Sequence, residues 1–220
     1  MTLRALSLLE CRVLGALVEK ERTVPDSYPL SLNALVLGCN QKTARDPVLN
    51  ASDAEVLGAL DDLRAADLVV EVSGSRVARY EHNLARVLKL PSQSVAILAL
   101  LMLRGPQTAA ELRANTERLH RFADISAVEG FLDELAARTP DPLVVRLPRA
   151  PGEREARWAQ LLGGPVDATA GATARPGGDA AIDAGEIAAL KANQARLQSE
   201  VDALRVQLQR LARELGVDLS

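Results

Sequence analysis

Aromatic residues are nearly missing from this chain. Phe, Trp and Tyr make up 2% of its 220 residues, while apolar residues as a whole reach 48%. Its cores must be built from Leu, Val and Ala, and Leu and Ala are strong helix formers. Cysteine is equally scarce. Cys11 and Cys39 stand 28 positions apart with no CxxC or Cys/His spacing, and only His82 and His120 could add further ligands. That set does not make a tetrahedral zinc site, and two isolated thiols suit a reducing compartment. Neither a metal nor a cofactor is expected. A basic excess is also lacking. The formal net charge is −3, with 11 basic and 12 acidic side chains over residues 1–90 and nine of each over 91–165. Binding dominated by phosphate contacts would call for a clear cationic surplus.

Long hydrophobic runs are absent as well. The most apolar stretch, Val95 to Leu103, has nine residues. A membrane-spanning helix needs about 20, so this stretch is expected to be a buried core helix. Met1 to Leu9 carries no long apolar run and no cleavage site, so it does not resemble a signal peptide. A cytoplasmic protein without a membrane segment is expected. No GxGxxG, Walker loop, GxSxG or HExxH occurs. His82 and His120 are lone histidines, of the kind that is more often structural than catalytic. An enzyme is therefore not expected.

Periodicity supplies the organisation. Leu6, Leu9, Val13, Leu14 and Leu17 recur at helical spacing, and Ser7 with Glu10 forms a capping-box pair. Pro25 and Pro29 interrupt the pattern, and Ser31 can cap a second helix through Leu35 and Val36. Ser52 with Glu55 opens a third helix, with Val56, Leu60 and Leu63 facing inward. Residues 68–72 and 76–81 read as two strands around the turn Ser73-Gly74-Ser75. The order repeats in the second region. A helix starts at Ser92 or Ser94 and stops at Gly105-Pro106. Thr108 with Glu111, and Ser126 with Glu129, mark two more starts, and strands are expected at 143–147 and 156–162. The repeat is one of pattern, without close residue identity between the halves. Three helices closed by a two-stranded wing describe a winged helix.

The expected fold class is mainly α with small β-hairpins (α+β). Two tandem winged-helix domains span 1–90 and 91–162. Residues 163–185, mostly Gly and Ala, form a flexible linker, and 186–216 form a coiled-coil helix. In that helix, Leu190, Leu197, Leu204 and Leu211 fall at every d position of a heptad, and Val201 and Leu208 are among the a positions. This stripe is the candidate seam of a parallel homodimer. The alternative is a helix folded back on its own domains.

Polar residues crowd one segment, Tyr28 to Val48. Asn33, Asn40, Gln41, Lys42, Thr43, Arg45 and Asp46 surround one helix end and its turn. Such side chains can contact bases or phosphates, or can satisfy the backbone of a long turn. Lys42 and Arg45 are the candidates for surface contacts. Arg76 and Arg79 flank the first wing, and Arg149 and Arg154 lie on the second. These six are the candidate nucleic-acid-binding residues.

The segments TVPDSYPLSLNALVLGCNQKTARDPV, GSRVARYEHNL, PQTAAELRANTERLHRF and LPRAPGEREARWAQLL resemble the YceH-like family of uncharacterised bacterial tandem winged-helix proteins. The resemblance covers about residues 5–162. It implies the two-module fold and no particular activity. That family's turn reads Asn-Gln-Lys-Ser, then Asn or Ser, then Arg-Asp-Pro. Thr43-Ala44 stands here instead, so position 44 offers no polar side chain.

The leading expectation is a dimeric protein associated with duplex DNA, regulatory or architectural in type, gripping the backbone through wings and turns. The alternative is a protein-interaction scaffold whose third helices bind a basic protein partner. Those helices are acidic: Asp53, Glu55, Asp61, Asp62 and Asp67 stand against Arg64, and Glu129, Asp133 and Glu134 against Arg138. Carboxylates that face phosphates are repelled, which counts against conventional groove reading.

Overall fold

A computed structural model describes residues 4–72, 77–149 and 152–166. The expected linker beyond residue 166, the 186–216 helix with its seam residues, and Arg76 lie outside the described residues.

The first half begins with α1 (Leu8–Thr23), fixed by a complete capping box. Ser7 Oγ accepts from the Glu10 N–H at 3.2 Å, and the Ser7 N–H donates to Glu10 Oε2 at 2.6 Å. A short 3₁₀ turn at Pro25–Ser27 leads into β1 (Leu30–Ser31) and α2 (Leu32–Cys39), capped by Ser31. α3 (Asp53–Ala65) opens on a second capping box between Ser52 and Glu55. Then come β2 (Val69–Val72) and β3 (Arg79–His82). The three strands form an antiparallel sheet in the order β1-β3-β2, with Leu30 opposite Tyr80 and Glu71 opposite Tyr80 on the other edge. The short helix α4 (Leu84–Leu88) closes this half.

The second half repeats the plan. α5 (Ser92–Arg104) ends at Gly105, whose φ of +74° needs a residue without a Cβ. α6 (Ala109–Asn115) has a capping box of Thr108 and Glu111. α7 (Ile125–Ala136) starts earlier than the Ser126/Glu129 pair suggests, because Asp124 accepts from the Ala127 N–H at 2.8 Å and becomes the cap. β4 (Val144–Arg146) and β5 (Trp158–Gln160) pair antiparallel. Just before α6, Gln107 bridges to Trp158 through backbone bonds of 3.1 and 2.7 Å. Gln107 thus takes the place that β1 holds in the first half.

The fold is mixed α+β, helices on small antiparallel sheets. α5 is buried along its whole length from Ser94 to Leu103, as expected of a helix apolar on every side. It packs on α1, where Gly15 lies against Leu103 and the Ala99 carbonyl. A Leu6 N–H bond to the Leu162 carbonyl at 2.8 Å and an Asp46 N–H bond to the Leu103 carbonyl at 2.8 Å further join the halves. One hydrophobic core runs from Leu6 to Leu162.

Candidate interaction surfaces

The polar segment after α2 turns inward. Arg45, a surface candidate by sequence, is instead buried, with its side chain 0% exposed. Its Nη2 reaches Glu19 Oε2 on α1 at 2.6 Å and Gln41 Oε1 at 2.6 Å, and its Nε donates to the Gly38 carbonyl at 3.1 Å. The reason for the correction is a carboxylate 26 residues earlier that only the folded chain brings within reach. Arg12, fully buried on α1, holds the same turn from the other side, donating to the carbonyls of Cys39 (3.1 Å) and Pro47 (2.6 Å). Asn40 clamps Ala51, giving one bond and taking one, each 2.8 Å. The long turn is therefore a structural knot. Ala44 sits in it at φ +58°, a left-handed conformation that favours Asn.

The Glu19 carboxyl feels opposite influences. Burial pushes its pKa up, while the hydrogen bonds and charge of Arg45, with help from Lys20, outweigh that and leave it below the usual carboxylate value. Burial lowers Arg12 and Arg104, and the nearby charge of Arg45 adds to the effect in both.

The other candidate cations are dispersed. Lys42 is exposed in the turn after α2. Arg79 is exposed on β3, with Nη1 on the Pro29 carbonyl at 2.7 Å. Arg149 and Arg154 are exposed between β4 and β5. Two further arginines of this connection are engaged internally. Arg157 pairs with Glu111 at 2.8 Å and Glu153 at 3.2 Å, and Arg146 lies over the Trp158 ring.

Both histidines contact neighbouring side chains. His82 Nε2 lies 3.3 Å from Glu21 Oε2, its backbone N–H donates to Tyr28 Oη at 2.8 Å, and burial lowers its pKa. His120 stacks edge-on against Phe122. Cys11 and Cys39 are buried, and burial pushes both thiols up to about 12. Among the described residues no group of three or more His, Cys, Asp or Glu is placed to hold a metal, and no helix is long and apolar enough to cross a membrane.

The third helices carry a feature missed in the sequence. Matching α3 with α7, by their order in the two halves, aligns VLGALDDLRA (56–65) with VEGFLDELAA (128–137) at a constant offset of 72. Val, Gly, Leu, Asp, Leu and Ala coincide at six of these ten positions. The halves thus share identity as well as pattern at this point, and a fixed-offset comparison of the two third helices would have found it. The matching Val and Leu side chains are all buried. The matching Gly58 and Gly130 face open space, with nothing within 4 Å of where a Cβ would stand. Asp61-Asp62 and Asp133-Glu134 are exposed beside them. Arg64 offsets part of the α3 charge, 3.3 Å from Asp61 and 3.0 Å from Glu71.

Residues 6–153, well over half of the chain, match the family described as "Protein of unknown function, DUF480". The chain belongs to this family. It is 72% identical over 218 residues to a UPF0502 protein of Methylibium petroleiphilum, covering 99% of this chain and 93% of that one. A UPF0502 protein of Leptothrix cholodnii is 62% identical over 98% of both chains, and one of Burkholderia orbicola is 61% identical over 99% and 92%. The family match takes in the buried turn, both third helices and β4, and it stops short of β5.

Proposed function

We propose that this DUF480 protein is a non-catalytic tandem winged-helix module that binds a basic protein surface with its two third helices. The observation that carries this is the doubled outer face of α3 and α7. Each presents an exposed glycine at the same position, followed by an exposed pair of carboxylates. A solvent-facing glycine costs a helix roughly 1 kcal/mol relative to alanine. A flat spot that lets a partner's backbone come close accounts for keeping it twice. The winged-helix assignment is supported by the element order, and by β1 and Gln107 occupying equivalent edges of the two small sheets. In a groove-reading winged helix the third helix enters the major groove, where carboxylates would meet phosphates.

A second function, backbone-level association with duplex DNA, is favoured by the exposure of Lys42, Arg79, Arg149 and Arg154. One pair of measurements separates the two. A labelled duplex is titrated with the full chain at about 50 and 200 mM salt, conditions between which several phosphate contacts would cost orders of magnitude in affinity. Protein capture from nuclease-treated cell extract is compared between the native chain and one carrying D61K, D62K, D133K and E134K. Weak duplex binding and loss of captured proteins on charge reversal are expected. Tight duplex binding with a salt slope that shrinks by about 1 in R79A, and unaltered capture, would replace this proposal with the DNA one.

A further inference from the structure

We propose that a groove beside the α4–α5 junction binds a small amphipathic acid, an organic carboxylate or sulfonate with an apolar body. This site is independent of the outer faces of α3 and α7. The groove is half open to solvent and has a volume of about 590 Å³, within the roughly 300–1,000 Å³ common for small-molecule sites. Its walls are mainly apolar, with Leu143 and Leu161 among them, and Arg4, Lys89, Arg138 and Asp141 supply its charges.

These charges are unequal in what they have left to give. Arg4 is committed to Glu10 through two guanidinium–carboxylate bonds, so that pair cancels. Arg138 donates from Nη2 to the Leu88 carbonyl at 3.0 Å. Its Nε is buried without a partner, and no carboxylate among the described residues pairs with it. Lys89 is exposed and likewise unpaired among the described residues. With Asp141 counted, the lining keeps a net charge of +1.

The backbone gives a separate reason to single out Lys89. It ends α4 at φ +52° and ψ +54°, in the left-handed region. A lysine there is strained, where glycine or asparagine would sit with less strain. Strain of this kind gathers at ligand-holding positions. Here it places a lysine on the lining of the groove, beside the Arg138 guanidinium that holds the Leu88 carbonyl. A neutral apolar ligand would leave the net positive charge of the lining uncompensated. A bare inorganic anion would leave the leucine walls wet. A carboxylate or sulfonate on a hydrocarbon or aromatic body satisfies both.

The test uses the full chain and 8-anilinonaphthalene-1-sulfonate, whose fluorescence rises on entering an apolar site. One saturable site is expected, emptied by octanoate and not by the same concentration of 1-octanol. K89N keeps a residue that tolerates the left-handed conformation and removes the charge. It should leave the melting temperature unlowered and weaken the probe by about tenfold, the loss of one charge-assisted hydrogen bond. R138Q should weaken it as well; if that variant unfolds, K89N decides alone. No saturable signal, equal displacement by octanol, or unchanged affinity in K89N would overturn the proposal.

Discussion

Arg45 and Glu19 show how far a side chain's role depends on a distant partner. The pair is 2.6 Å apart, with the arginine side chain fully buried and the carboxylate side chain 15% exposed. Removing one member of such a pair strands the other, at a cost of about 3–5 kcal/mol. R45A should therefore lower the urea midpoint strongly at neutral pH, and an unchanged midpoint would refute the structural role. Glu19 adds a pH signature. Its folded pKa lies below its usual value of 4.5, so its contribution is complete above that value and is lost as pH falls through the folded pKa. Stability of the native chain should drop as pH is lowered below about 4.5. In E19Q the chain should be weaker at neutral pH, and its loss of stability on acidification should be smaller.

Glycines give a matched test of the helices. In G15A the new methyl would lie 2.8 Å from Leu103 Cγ and 3.2 Å from the Ala99 carbonyl. Backbone cannot yield as a side-chain tip can, so α1 and α5 must separate, costing about 1–3 kcal/mol. G58A and G130A meet nothing and should each stabilise by up to about 1 kcal/mol. Thermal melts should move down for G15A and up for the other two, and a stabilised G15A would contradict the α1–α5 packing. The contrast also explains what could be read in the sequence. Capping boxes at Ser7, Ser52 and Thr108 were legible because both partners lie within four residues. So were the strands, although Arg79–His82 and Trp158–Gln160 are shorter than the stretches expected. β1 has only two residues, and α4 only five; neither is long enough to show a period. Arg45 was misplaced because Glu19 is remote in sequence. The groove at Lys89 was invisible because its lining comes from four separate segments.

At the scale of the whole molecule, the hydrophobic core of the described residues runs from Leu6 to Leu162. If the heptad stripe at Leu190, Leu197, Val201, Leu204, Leu208 and Leu211 pairs two copies, each dimer offers four third helices to its partner. Linked copies gain avidity over a single one when their geometry lets both engage. A chain ending at Gly185 separates pairing from fold-back by two readouts. Pairing predicts that sedimentation changes from dimer to monomer, while the unfolding of the remaining core, followed by helix signal, keeps its midpoint. Fold-back predicts the reverse: the mass in solution stays monomeric throughout, and the midpoint falls because an apolar stripe that covered the core has been removed. Pairing also predicts weaker capture of the protein partner by the shortened chain although α3 and α7 are untouched, which a fold-back helix on another surface does not.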